Sequence, residues 1–314
     1  MSVINTNNAS NIAQNAIRIN EQQMSVAMER LSTGSRINSA KDDAAGLAIS
    51  ERMSSQISGL NMATRNANDA ISMLQTIEGA TKEISNMLGR MRELTVQSAS
   101  GTYTSTDRAA LDLEFGALMD EISRIAKNTE WNGDGVLQGT LSQNYSSDDT
   151  ALAKTIQIGT DSGQTMALSI KTWVPTVASA DTDNIGSFGN GDGANSAYGA
   201  TTALFGDADS ASDLTNQVRL NITSVANTVD ALQEIDNAIN GAAAERAKYG
   251  AYMSRLQHAS DNLQNVSTNT AASRSQIADA DYAAETTELA RTQIISQAST
   301  AMLAQANQVK QTVL

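Results

Sequence analysis

The sequence predicts a mainly α-helical protein: long coiled-coil-like helices from both chain ends forming a rod, with a β-hairpin and a small β/loop-rich central surface domain. Three observations predict it. Apolar residues recur at alternating three- and four-residue spacing in long runs near both ends, which is the pattern of a helix lying along other helices. The composition is short of bulky cores, with 4% aromatics, one Pro, one His and no Cys. Few rings and much Ala, Ser, Asn, Thr and Gln suit narrow helix-to-helix seams. Finally, the apolar period drops to two only in the middle of the chain.

From Asn8 to Leu31 two adjacent apolar stripes run along one helix: Ile12, Ala16, Ile19 and Val26, then Ile17, Met24, Ala27, Met28 and Leu31. A helix apolar over more than one face expects several partners. Gly34 is its expected stop, and Ser39 with Asp42 resembles a capping box opening the next helix. That helix is expected from about Ala44 to Gly101, roughly 80 Å at 1.5 Å per residue. Its seam is Ala70, Met73, Ile77, Ala80, Ile84, Met87, Met91 and Leu94. After Gly101, Asp107 is the expected N-cap of a helix with the stripe Leu111, Phe115, Leu118, Ile122 and Ile125, ending near Asn128.

Trp131 to Gly135 carries turn chemistry, and alternation at Ile156, Ile158, Met166, Leu168 and Ile170 around Gly159 to Gly163 predicts a β-hairpin. Lys171 to Asp213 holds the single Pro, six Gly and six Asp, the mark of a loop-rich surface module. Helical period returns at Val225 and continues through Val229, Leu232, Ile235, Ile239, Ala242, Tyr249, Met253, Leu256 and Leu263, the natural partner for the long seam. A last helix, capped by Asp281, carries Ile295, Ala298, Met302 and Val309. The expected organisation is therefore 1–44 and 271–314 as two halves of an inner helical domain, 45–170 and 216–270 as two parts of a helical rod, the first with the hairpin at about 154–170, and 171–215 as a small variable surface domain. The terminal helices can bury an apolar side within one chain only against each other, and any stripe left over needs neighbouring subunits. Both termini are expected to fold on assembly.

Charge excludes some functions. The net charge is −13, with nine Asp and two Lys between Leu141 and Thr215 against five acids and five bases in residues 1–52. An acidic centre with neutral ends disfavours nucleic acid and anionic lipid and leaves the ends free to self-pack. No stretch approaches transmembrane length, and neither membrane anchoring nor a Sec-type signal is expected. His258 stands alone without an HExxH motif, so no catalytic set or cofactor is expected and the chain does not read as an enzyme. Asp279 and Asp281 lack the glycine and final Glu of a calcium loop and read as capping residues. The run Asp181, Asp183, Gly186, Asp192 places Ile185 where a ligand belongs.

Four segments carry a resemblance: Val3-Ile4-Asn5-Thr6-Asn7 at the start, Leu31 to Gly46 (LSTGSRINSAKDDAAG), Ser273 to Ala283 (SRSQIADADYA), and Leu303 to Gln308 (LAQANQ). Together they resemble bacterial flagellin, over about residues 1–140 and 220–314 and not over the middle. The resemblance implies a structural subunit exported unfolded through the flagellar type III apparatus and polymerised into an extracellular filament for motility. It implies as partners further copies of the chain, an export chaperone, the filament cap and hook-associated proteins. The alternative within the same resemblance is a hook–filament junction protein, which shares similar ends but does not polymerise indefinitely. O-linked sugars on the central Ser and Thr residues also occur in this family. The resemblance further implies that Arg90, Leu94 and Glu114 match the segment read by the host Toll-like flagellin receptor, although Gly89 and Thr95 depart from the Gln and Ala usual there. Periodicity instead reads Leu94 as packing. A straight helix drifts about 20° per heptad, so Leu94 is expected at the edge of its seam and partly exposed.

Overall fold

In the computed structural model the described residues are 8–138, 152–173 and 220–311, and they are mainly helical. The expected surface domain from residue 174 onward, including Asp181, Asp183 and Asp192, lies outside them, as do Val3 to Asn7. Five helices are present in this set: α1 (Asn8–Thr33), α2 (Ala44–Ala99), α3 (Ser105–Asn128), α4 (Val225–Ala278) and α5 (Tyr282–Gln311). Two small antiparallel hairpins accompany them, β1 (Glu130–Trp131) with β2 (Asp134–Gly135), and β3 (Leu152–Gln157) with β4 (Thr165–Ile170). The chain divides into two compact units, residues 62–263 and residues 1–61 with 264–314.

In the first unit α2, α3 and α4 share one buried cluster. On α2 the buried row is Ala63, Ala67, Ala70, Leu74, Ile77, Thr81, Ile84, Leu88, Met91, Thr95 and Ser98, unbroken three-four spacing. The expected seam shares Ala70, Ile77, Ile84 and Met91 with this row; of its other members Met73 and Leu94 are buried, Ala80 and Met87 half-buried. A face two rows wide is what a helix needs when it has two partners. α4 runs antiparallel to α2, tied by Arg246 to Glu78 at 3.0 Å and Arg92 to Asp236 at 2.6 Å. α3 turns back along α2, with Arg108 Nε donating to the Ser98 carbonyl at 2.8 Å.

Several expectations change in detail. Leu94 is fully buried, because α2 is covered on two sides and the drift that would carry Leu94 off one partner carries it toward another. Val225 and Val229 are exposed, since the α4 row begins instead at Thr228 and Ala231 and passes through Ile235, Ala238, Ala242, Glu245 and Tyr249. Leu232, Ile239 and Met253 flank it half-buried, and Leu256 is buried. The α3 cap is Thr104, which accepts from Asp107 N while Asp107 accepts from Thr104 N, a reciprocal capping box. α2 is capped by Asp43, whose Oδ1 accepts from Ala45 N and Gly46 N, while Asp42 closes the preceding turn on Asn38 and Ser39. In both cases the reading placed the carboxylate correctly in the turn but on the wrong side of the cap.

The hairpins follow turn chemistry. Asn132 and Gly133 take φ of 55° and 83°, the left-handed pair that a two-residue turn of this kind requires. β4 sends Met166, Leu168 and Ile170 into the core, and Trp173 Nε1 donates to the Tyr249 hydroxyl at 3.1 Å. Burial pushes the Tyr249 hydroxyl pKa well up.

One carboxylate in this unit is poorly matched to its surroundings. Glu234 Oε2 on α4 is buried without a hydrogen-bond partner among the described residues. Burial, with Asp230 nearby, raises its pKa from 4.5 to about 7. The folded chain then binds more protons at this group than the unfolded chain, so its contribution to stability is complete below pH 4.5 and is lost as pH rises through about 7. Denaturation midpoints measured from pH 5 to 8 should fall with pH in the parent chain and fall less in Glu234→Gln; identical slopes would refute this assignment.

Candidate self-association surface

The second unit is built on α1 and α5, which pair antiparallel: Asn20 Nδ2 donates to the Thr292 carbonyl at 2.7 Å and Arg30 Nη1 to Glu285 at 3.0 Å. α1 ends where Gly34 takes φ 70° and donates its N–H to the Arg30 carbonyl. Asp281 opens α5, accepting from Ala283 N and Ala284 N. Between the helices, Arg36 N donates to the Ala278 carbonyl and Ala280 N to the Gly34 carbonyl, which pins the two chain segments side by side. Close approach is also needed at Gly46, where an added Cβ would stand 2.7 Å from Ile37 Cδ1.

The inner row of α1 is Ser10, Ala13, Ile17, Asn20, Met24, Ala27 and Leu31, at three-four spacing throughout. Facing it on α5 are Glu285, Leu289, Thr292, Ser296, Ser299 and Leu303. Small and polar side chains dominate both rows, so the two backbones come close: these are the helices whose Cα atoms pass within 8 Å of each other along a stretch. Met24 and Leu31 thus lie in the seam. Ile12 and Ile19 do not; they are 71% and 47% exposed.

On α5 the expected apolar stripe also points away from α1. Ile295 is 37% and Met302 61% exposed, Ala298 is exposed, and the Val309 side chain lies outside the described set. Ile294 and Met28 add to the outward apolar surface. One of the two expected stripes on α1, with Ile17, Met24, Ala27 and Leu31, is spent on α5, while the stripes with Ile12, Ile19, Ile295 and Met302 are left over. Hydrophobic spacing marks part of the seam, through the expected stripe Ile17, Met24, Ala27 and Leu31, and misses the positions that Ser, Thr and Asn occupy.

Arg90 and Glu114 form an exposed ion pair across α2 and α3 at 2.9 Å, with Glu93 also held by Arg90. The carboxylates raise the Arg90 pKa further. Leu94 lies beneath this face with no exposed surface, so the structure does not place all three side chains on one accessible patch. Asp279 accepts from the Ser275 hydroxyl, which together with Asp281 capping accounts for both acids. His258 is exposed. Among the described residues no helix is long and apolar enough to cross a membrane.

Comparison with known proteins decides the family. The bacterial flagellin N-terminal helical region matches residues 4–142 and the bacterial flagellin C-terminal helical region matches residues 232–314. The chain belongs to the bacterial flagellin family. Polar flagellin F of Vibrio parahaemolyticus is 36% identical, the match covering 97% of this chain and 96% of that one. Flagellin D of Vibrio cholerae is 34% identical over 99% of this chain and 98% of its own. Among solved structures, a putative flagellar hook-associated protein from Vibrio parahaemolyticus shares the fold at TM-score 0.57 and 14% identity, covering 76% of this chain and 100% of that one. The flagellin is a structural, non-enzymatic component of the extracellular flagellar filament, where it self-polymerises.

Leu94 and Arg90 separate packing from surface. Leu94→Ala should lower unfolding stability by about 2 to 5 kcal/mol, the range for truncating a buried leucine. Arg90→Ala should leave the melting curve unchanged, as an exposed pair contributes little. A Leu94→Ala chain that melts with the parent would show that this end of α2 is open in solution.

Proposed function

We propose that the outward faces of α1 and α5 are the surface through which this flagellin polymerises, and that it is exported unfolded before doing so. The observation that carries the first part is the exposure of Ile12, Ile19, Ile294, Ile295 and Met302 on two helices whose mutual contact uses other residues. Large apolar side chains left outside a chain that assembles indicate where it assembles. Export chaperone, filament cap and hook-associated proteins are the partners this reading adds. Arg90 and Glu114 are proposed as the exposed part of a surface read by the host Toll-like receptor for flagellin, with Leu94 acting by packing beneath them.

Removing residues 282–314 should abolish filament growth while leaving residues 62–263 folded, because α5 contributes nothing to that unit's buried cluster. Seeding the truncated chain onto parental filament fragments and imaging the product tests both this and the hook–filament junction alternative. No elongation by the truncated chain, with long filaments from the parent, is expected. Long filaments from the truncated chain would refute the surface, and a parent that stops after a short cap would favour the junction protein.

A further inference from the structure

We infer that the contact between copies is head-to-tail at the α1–α5 pair: Ile294, on the back of α5 in one copy, enters an apolar trough between α1 and α5 of the next. The inference deepens the polymerisation surface proposed above and rests on it. With the inner rows as the a and d positions of a heptad, Ile12, Ile19 and Val26 fall at c on α1 and Ala16, Gln23 and Arg30 at g, while Glu288, Ile295 and Met302 fall at g on α5. In an antiparallel pair the two g rows lie on the same side. That side is open: a groove of about 400 Å³ runs between the helices, lined among others by Ile19, Gln23, Val26, Arg30, Glu285 and Glu288. Toward the N-terminus of α1 the same rows become apolar. Ala16 forms a low floor there, with Ile12 and Ile19 on one wall and Ile295 and Met302 on the other, all exposed.

Such a trough accepts the ridge of a third helix. Ile294 cannot supply it within its own pair: it is 67% exposed and takes the f position, directly opposite the α1–α5 seam. Ala290, Ala298 and Ala301 surround it, all exposed, and their small side chains let another backbone approach a ridge whose large apolar member is Ile294. A trough and a ridge on different faces of one unit are the two halves of a heterologous contact, which repeats without closing. Two troughs facing each other would instead make an isologous contact, which ends at a dimer. A chain of a family that self-polymerises into a filament needs the first arrangement, which makes a second copy the occupant.

The native chain has no cysteine, so a covalent dimer of chains with one introduced cysteine each can form only between copies whose cysteines meet. Full-length Ile294→Cys is mixed with an equal amount of Ile12→Cys or of Ile19→Cys, polymerised on parental filament fragments, oxidised, and resolved on non-reducing gels. One or both mixtures should yield covalent dimer at least tenfold over any of the three variants polymerised alone. The same yield from Ile12→Cys or Ile19→Cys alone would overturn the inference in favour of facing troughs, and absence of dimer from both mixtures would overturn it outright. Seeded elongation by Ile19→Glu, Ile294→Glu and Ile294→Leu separates the inference from the reading on which it rests. Both glutamate variants should fail to elongate, with helix content by circular dichroism equal to the parent, and Ile294→Leu should elongate. Failure of Ile19→Glu with normal elongation by Ile294→Glu would keep the surface and overturn its occupant. Normal elongation by both would count against the polymerisation surface itself.

Discussion

Every long contact in this flagellin is made along a seven-residue repeat, and the size of the side chains in that repeat decides what each helix does next. Large apolar side chains such as Ile77, Phe115 and Ile235 fill the space between α2, α3 and α4, with Ala238, Ala242 and other small residues between them. Ala, Ser, Thr and Asn set between Ile17, Met24, Leu31, Leu289 and Leu303 let the backbones of α1 and α5 come close. The first kind of seam closes on itself. The second holds two helices in place while Ile12, Ile19, Ile294, Ile295 and Met302 stay outside.

This difference accounts for what could be read from the residues. The rows on α2 and α4 were legible because apolar side chains mark them, and α2 does pack on α4. Their register was misjudged at the ends, with Val229 placed inside and Leu94 at an edge, because one-dimensional spacing assumes one partner per helix. α2 has two, and Leu94 lies between them. Turn chemistry was the most readable feature: Gly34 and Asn132-Gly133 adopt the left-handed backbone that their residue types favour. The caps were shifted by three to four residues, Asp43 for Ser39 and Thr104 for Asp107, since an acid can serve either as the cap or as the residue that completes the box.

The α1–α5 seam was the least legible part and is the part closest to function. Asn20 and Thr292 would be assigned to a solvated face on composition, yet both are buried and bonded to each other. Ile12 and Met302 belong to apolar stripes that the single chain leaves over, and both are exposed. On the polymerisation surface proposed above, folding of the unit and growth of the filament use different faces of the same two helices.

The division is tested most directly by oxidative footprinting of methionines in soluble and polymerised protein. Met28 and Met302 are 49% and 61% exposed on the outward faces, while Met73 and Met91 are buried in the other unit and serve as internal controls. Brief exposure to peroxide, followed by peptide mass spectrometry, should show Met28 and Met302 oxidised readily in soluble chain and protected several-fold in filaments, with Met73 and Met91 slow in both. Equal oxidation of Met28 and Met302 in the two states would contradict a filament closed by these faces.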